Sequence, residues 1–154
     1  MRLALYQPDI PQNLGAAIRL AACLGVGLDV IEPCGFPLTA AAMKRVALDY
    51  GDKAKTTRHP SLAAFRAAPE REGGRLVLIE TDGATRFQDF SFSTGDTLIL
   101  GRESAGSPGE LYAAAQASVR VPMRHGLRSL NVVVAGAVVL TEAMRQTGAW
   151  EKLD

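Results

Sequence analysis

Apolar positions along the chain follow two rhythms. Short unbroken runs at Leu3–Tyr6, Arg75–Glu80 (RLVLIE) and Thr97–Gly101 (TLILG) suit strands buried on both faces. Between them, Leu14, Ala17, Ile18, Ala21, Ala22 and Leu24 recur at helical spacing, with Asn13 expected as the N-cap and Gly25 as the stop. A second strand is predicted from about Gly27 through Asp29-Val30-Ile31. A Pro33/Gly35/Pro37 loop follows, and then a helix over Ala40–Leu48 capped by Thr39 and closed by the turn Asp49–Gly51. Ala54–Thr57 reads as a weak, polar strand, and Ser61 caps a short helix ending near Ala68. Residues 84–96 show no period. Pro108 starts a helix through Leu111 to Ala115, a strand covers 118–121, and a last helix runs from Ser129 as cap to Gln146, ending near Gly148. The tail Trp150–Asp154 frays or packs on a partner. Strands alternating with helices, several of them apolar on both faces, predict an α/β fold with a mostly parallel sheet flanked by helices.

The length of 154 residues fits one domain, and 47% apolar residues are enough for a real core. A net charge of only +1 argues against bulk-charge binding of nucleic acid, although arginines gather around 120–128. Cys23 reads as a small buried hydrophobe, and with Cys34 as its only companion no disulfide framework or zinc site is expected. The two histidines, His59 and His125, lack ligand spacing, so no metal is expected. His59 falls in a polar loop before a proline. The proline-broken N-terminus does not read as a signal peptide, and no apolar run has membrane-spanning length, so a cytoplasmic protein without a membrane partner is expected.

In open parallel sheets, ligands bind beyond the carboxyl ends of the strands. Four loops qualify: Gln7–Asn13, Glu80–Gly83, Arg102–Gly109 and Pro122–Arg128. In the first, Gly15 sits where glycine is unfavourable, by roughly 1 kcal/mol relative to alanine, and Arg19 lies one helical turn further on. A solvated charge or a surface ion pair is the commoner use of a lone arginine such as Arg19. The segment Gly101–Gly106 brackets Glu103 with glycines that permit a reversal and close approach to a flat ligand; a routine glycine turn looks the same. Val119–Val134 (VRVPMRHGLRSLNVVV) gives strand, basic loop and helix start, a place for an anion or a polar ligand edge, or an ordinary βα corner. Arg45–Tyr50 (RVALDY) pairs a base with an aromatic, suited to RNA or to packing on the sheet. The Walker, GxGxxG and GxSxG patterns are absent, and a Rossmann-type dehydrogenase is correspondingly disfavoured.

Three segments taken together, PQNLGAAIRLA (11–21), LILGRESAGSP (98–108) and VPMRHGLRSLNVVVA (121–135), resemble the SPOUT class of RNA methyltransferases in order and spacing. With LALYQPDIPQNLG, VIEPCGF and RVALDY, the likeness covers nearly the whole chain and is greatest to the single-domain tRNA (cytidine/uridine) 2′-O-methyltransferases of the wobble nucleotide. The resemblance implies a C-terminal trefoil knot, a homodimer, a tRNA substrate and S-adenosyl-L-methionine as cofactor. It implies cofactor contacts at Ile79, Leu100, Gly101, Glu103, Gly106, Val121, Met123, Ser129 and Leu130. It also implies a catalytic role for Arg19 with Asn13 and Asn131 shaping the pocket, and RNA contacts from Arg45, Tyr50, Arg124 and Arg128. A guanidinium stays protonated in proteins, so Arg19 suits a phosphate grip rather than a base. Two positions depart from the pattern: Ala105 where many relatives carry arginine, and Thr141 where some carry tyrosine. The competing readings are a 2′-O-methyltransferase of this class acting on another tRNA or rRNA ribose, and a non-catalytic dimeric RNA-binding module.

Overall fold

Strand β1 (Arg2–Tyr6) lies inside a seven-stranded sheet with β2 (Gly27–Ile31), β3 (Thr56–His59), β4 (Leu76–Ile79), β5 (Thr85–Arg86), β6 (Thr97–Leu100) and β7 (Ala117–Arg120). The spatial order is β3-β2-β1-β6-β4-β7-β5, and every neighbouring pair is parallel. The computed structural model describes residues 1–153 apart from 40, 43, 44, 46–49 and 52. Most of the helix expected over Ala40–Leu48 therefore lies outside the described residues.

Alternation along the strands divides the core between the two faces of the sheet. Leu3, Leu5, Leu28, Val30, Val77, Ile79, Leu98 and Leu100 pack beneath α1 (Pro11–Cys23) and α4 (Val132–Gln146). Ala4, Tyr6, Ile31, Leu76, Leu78 and Ile99 pack with Phe65 of α2 (Leu62–Arg66) and Leu111 of α3 (Gly109–Ala114). Helix α4 settles close over the end of β6 because Gly136 has no side chain: a Cβ there would stand 2.8 Å from Leu100 Cδ1.

On the α2 face, charge is buried inside the sheet itself. Asp29 of β2 accepts from Arg2 Nε at 2.6 Å and from His59 Nε2 at 2.7 Å, and His59 stacks edge-on against Phe65. His59 is thus the buried last residue of β3, not part of a polar loop, because β3 is displaced two residues from the expected Ala54–Thr57.

Several boundaries differ for identifiable reasons. Helix α1 starts at Pro11, whose fixed φ suits the first turn, and its cap position is Ile10, so Asn13 is inside the helix rather than its cap. Helix α4 starts three residues after Ser129: Asn131 is its cap, accepting from the amides of Val133 and Val134 at 2.9 and 3.2 Å. Pro108 is the cap position of α3 rather than its first residue. Residues 84–96 contain the two-residue edge strand β5 and a 3₁₀ turn at Phe87–Asp89. Cys23, expected to be buried, is exposed at the end of α1.

Candidate active site

Beyond the carboxyl ends of β6, β4 and β7, on the α1/α4 face, the loops enclose a cleft of about 470 Å³. Its floor is the end of β4 (Ile79) and the end of β6 (Leu100, Gly101). One wall is the loop Arg102–Gly106. Gly101 makes that wall possible: a Cβ would collide with Ser107, so only glycine lets the chain reverse there, while Gly106 turns with φ +66°. The opposite wall is Val121, Met123 and the approach to α4, Arg128–Val132. Ile10 and Asn13 close the side next to α1.

Three loops distant in sequence are fastened together by one directed chain of hydrogen bonds. Asn131 Oδ1 is committed to the backbone amides that open α4, so its Nδ2 faces outward and donates to Asn13 Oδ1 at 2.9 Å. Asn13 must then present its own Nδ2, which donates to Glu103 Oε1 at 3.0 Å. Glu103 Oε2 accepts from the Asp9 amide at 2.9 Å. Each amide orientation follows from the one before it, and the free helix start dictates the first. Burial, together with the neighbouring Asp9 carboxyl, raises Glu103 above the ordinary carboxylate range. Asp9, which accepts from Ser104, moves the opposite way.

All nine residues expected at the cofactor, Ile79, Leu100, Gly101, Glu103, Gly106, Val121, Met123, Ser129 and Leu130, line this cleft, as do Asn13, Asn131 and Arg128. Arg19 does not. It is exposed on α1 with its guanidinium 4.9 Å from the centre of the Tyr50 ring, a cation–π pair. Arg45 and Arg124 are exposed and do not line the cleft, and most of the 45–50 segment lies outside the described residues. Glu80, Thr81 and Arg102 line the cleft but were not among the expected contacts. Glu80 follows the apolar end of β4, Thr81 comes next, and Arg102 follows the glycine after β6, which is the signal that points to them. Among the described residues no cluster of His, Cys, Asp or Glu could hold a metal ion, and no helix is long and apolar enough to cross a membrane.

The SpoU rRNA Methylase family matches residues 1–141. A tRNA (cytidine(34)-2′-O)-methyltransferase from Beijerinckia indica is 51% identical over 98% of this chain and 94% of its own. The Escherichia coli K12 protein of the same name is 37% identical over 96% and 94%. A solved structure described as giving insight into 2′-OH methylation of C/U34 on tRNA superposes with a TM-score of 0.86 at 41% identity, covering 94% of both chains. The SpoU methyltransferase AviRb of Streptomyces viridochromogenes, solved with AdoMet, gives a TM-score of 0.80 at 28% identity over 95% of this chain and 60% of its own.

Proposed function

The chain belongs to the SpoU rRNA methylase family, and on that premise we propose that it methylates the ribose 2′-hydroxyl of the wobble nucleotide of tRNA, using S-adenosylmethionine. The observation that carries the proposal is the single cleft formed by loops from four parts of the chain, walled by the Asn131–Asn13–Glu103 chain of hydrogen bonds.

The residues present fit the cofactor. The cleft is within the roughly 300–1,000 Å³ typical of small-molecule sites. Its apolar surfaces at Ile79, Leu100, Val121, Met123 and Leu130 suit an adenine ring, and the carboxylates of Glu80 and Glu103 suit a cation. When bound, S-adenosylmethionine would supply a methyl group: the S–CH3 bond would break to leave a neutral thioether as the bond to the 2′-oxygen forms, and the hydroxyl proton would pass to water. The protein's work is alignment, water exclusion and charge. Asn13 and Asn131, held by their fixed bonds, present a rigid wall to the ribose. From its exposed position on α1, outside the cleft, Arg19 grips the phosphate beside the target sugar, with Tyr50 steadying its guanidinium. Arg45, Arg124 and Arg128 hold RNA backbone from exposed positions.

The active form is a homodimer in the cytoplasm. Ile10, Leu127, Leu130 and Val134, between 41% and 65% exposed, are apolar side chains near the starts of α1 and α4 whose burial against a second copy of the chain would be favourable. The chain acts as a single domain, and its C-terminal third is threaded as a trefoil knot. Supporting this, β6 is inserted between β1 and β4, and α4 returns over β6 and α1.

Incubation of purified protein with S-adenosylmethionine and tRNA, followed by nucleoside mass spectrometry, tests the proposal. The expected product is a 2′-O-methyl nucleoside at position 34, formed about 100-fold more slowly by Arg19→Ala. No product from the wild type, or a normal rate from Arg19→Ala, would overturn the function or the role of Arg19 respectively.

A further inference from the structure

We propose that Tyr112 is a positioning residue for the cofactor: by holding Asp82, it fixes the turn that carries Glu80 and Thr81 against the Arg102–Gly106 wall of the cleft. The inference rests on the methyltransferase reading and deepens it.

Glu80 and Thr81 line the cleft, and both belong to the turn that leaves β4. That turn is pinned at its two ends. The Glu80 amide donates to Val119 O at 3.0 Å, and Gly83 lies so close to β7 that a Cβ there would stand 2.3 Å from the Val119 carbonyl carbon. Between the pins, Thr81 and Asp82 are exposed. Among the described residues, one bond ties the Asp82 side chain to another element: the Tyr112 hydroxyl donates to its Oδ1 at 2.7 Å, from thirty positions away in sequence. Burial of the phenol, and then the Asp82 carboxylate, push Tyr112 above the ordinary phenol range, so the hydroxyl stays a donor.

Tyr112 sits on α3, the helix that follows the Arg102–Gly106 wall after Ser107 and Pro108. Leu111 roots this helix in the core, and Glu110 accepts from the Tyr6 hydroxyl at the end of β1. The helix is therefore a fixed post with two cleft loops attached, one by chain continuity and the other by the phenol. The two loops face each other at Glu80 and Gly106: Glu80 Oε2 is 3.9 Å from the place a Cβ on Gly106 would occupy. The other carboxylate oxygen, Oε1, accepts from the Thr81 amide at 3.1 Å, so its direction follows the backbone of the turn. A turn released at Asp82 gives Glu80 and Thr81 room to move and weakens their hold on the cofactor. The Asn131–Asn13–Glu103 chain makes no bond to Tyr112 or Asp82, so methyl transfer from a seated cofactor keeps its rate.

The test is calorimetry with S-adenosylmethionine, and steady-state tRNA methylation, by the full-length protein. Tyr112→Phe and Asp82→Ala are each expected to raise Kd and KM for S-adenosylmethionine about fivefold, the worth of one partly solvated hydrogen bond. At saturating S-adenosylmethionine, kcat should stay within about twofold of wild type. The double variant should bind no more weakly than either single one, because both remove the same bond. Asp82→Asn, whose amide oxygen still accepts from the phenol, should bind nearly as wild type does. Unchanged affinity in Tyr112→Phe, additive losses in the double variant, or a fall in kcat with KM unmoved overturns the positioning role and leaves the methyltransferase function standing. A wild type that binds S-adenosylmethionine but leaves tRNA unmethylated overturns that function, while the affinities of the variants still decide the role of Tyr112. No binding of S-adenosylmethionine by wild type overturns both.

Discussion

Two polar networks in this molecule look alike on paper and do different work. Around Asp29, a carboxylate, a guanidinium and an imidazole are locked between strands β1, β2 and β3, with side-chain exposures of 3%, 19% and 7%. Around Glu103, one carboxylate and two amides tie loops together at the edge of an open cleft. The first network comes from within the strands, and none of its three residues lines the cleft. The second comes from residues just past the strand ends and presents its groups to a space that can hold a ligand. Buried charge and hydrogen bonding alone do not mark a site; access to a cavity does.

The comparison can be broken by removing one member from each side. Asp29→Ala strands Arg2 and His59 without their acceptor and should cost about 3 kcal/mol in urea unfolding, with methyl transfer per folded molecule retained. A large loss of activity in the folded fraction would erase the distinction. Asn131→Ala removes the cap of α4, worth about 1 kcal/mol, and also frees Asn13 from its fixed orientation. Its effect on transfer should exceed its effect on stability, with at least about tenfold lost from single-turnover rates; a purely stability-linked defect would make the wall structural.

The smallest effect sharpens the electrostatics. Glu103 has a raised pKa in the fold, so its favourable contribution is complete below its ordinary value of 4.5 and is lost as pH rises through the folded value. Glutamine does not ionise. The melting temperature of Glu103→Gln relative to wild type should therefore climb between pH 4.5 and 7, by on the order of 2 °C. A flat or falling difference would show that burial and the Asp9 carboxyl do not disfavour the ionised form.

What could be read in advance was the scaffold. The runs at Leu3–Tyr6, Arg75–Glu80 and Thr97–Gly101 have one use, a strand covered on both faces, and the four loops expected past the strand ends all contribute residues to the cleft. What could not be read was which polar residue spends its hydrogen bonds locally. Asn13 and Ser129 both have the chemistry of caps. Pro11 and Asn131 start the helices instead, and Asn13 is drawn to Glu103, ninety residues away in sequence, by a contact that no local pattern encodes. His59 was misplaced for the same reason: its partner Asp29 is thirty residues off. Arg19 was expected on the strength of family likeness, and its pairing with Tyr50 is again a tertiary fact.

Arg102 and Gly106 wall the cleft on one side and, on the other, a smaller hollow lined with Tyr6, Gln7, Pro108 and Glu110, so one partition belongs to two rooms at once. Any guest that stiffens it from one side changes what a guest on the other side must overcome. Thermodynamic reciprocity would then make the influence mutual and equal: whatever factor one guest contributes to holding the other, it receives in return.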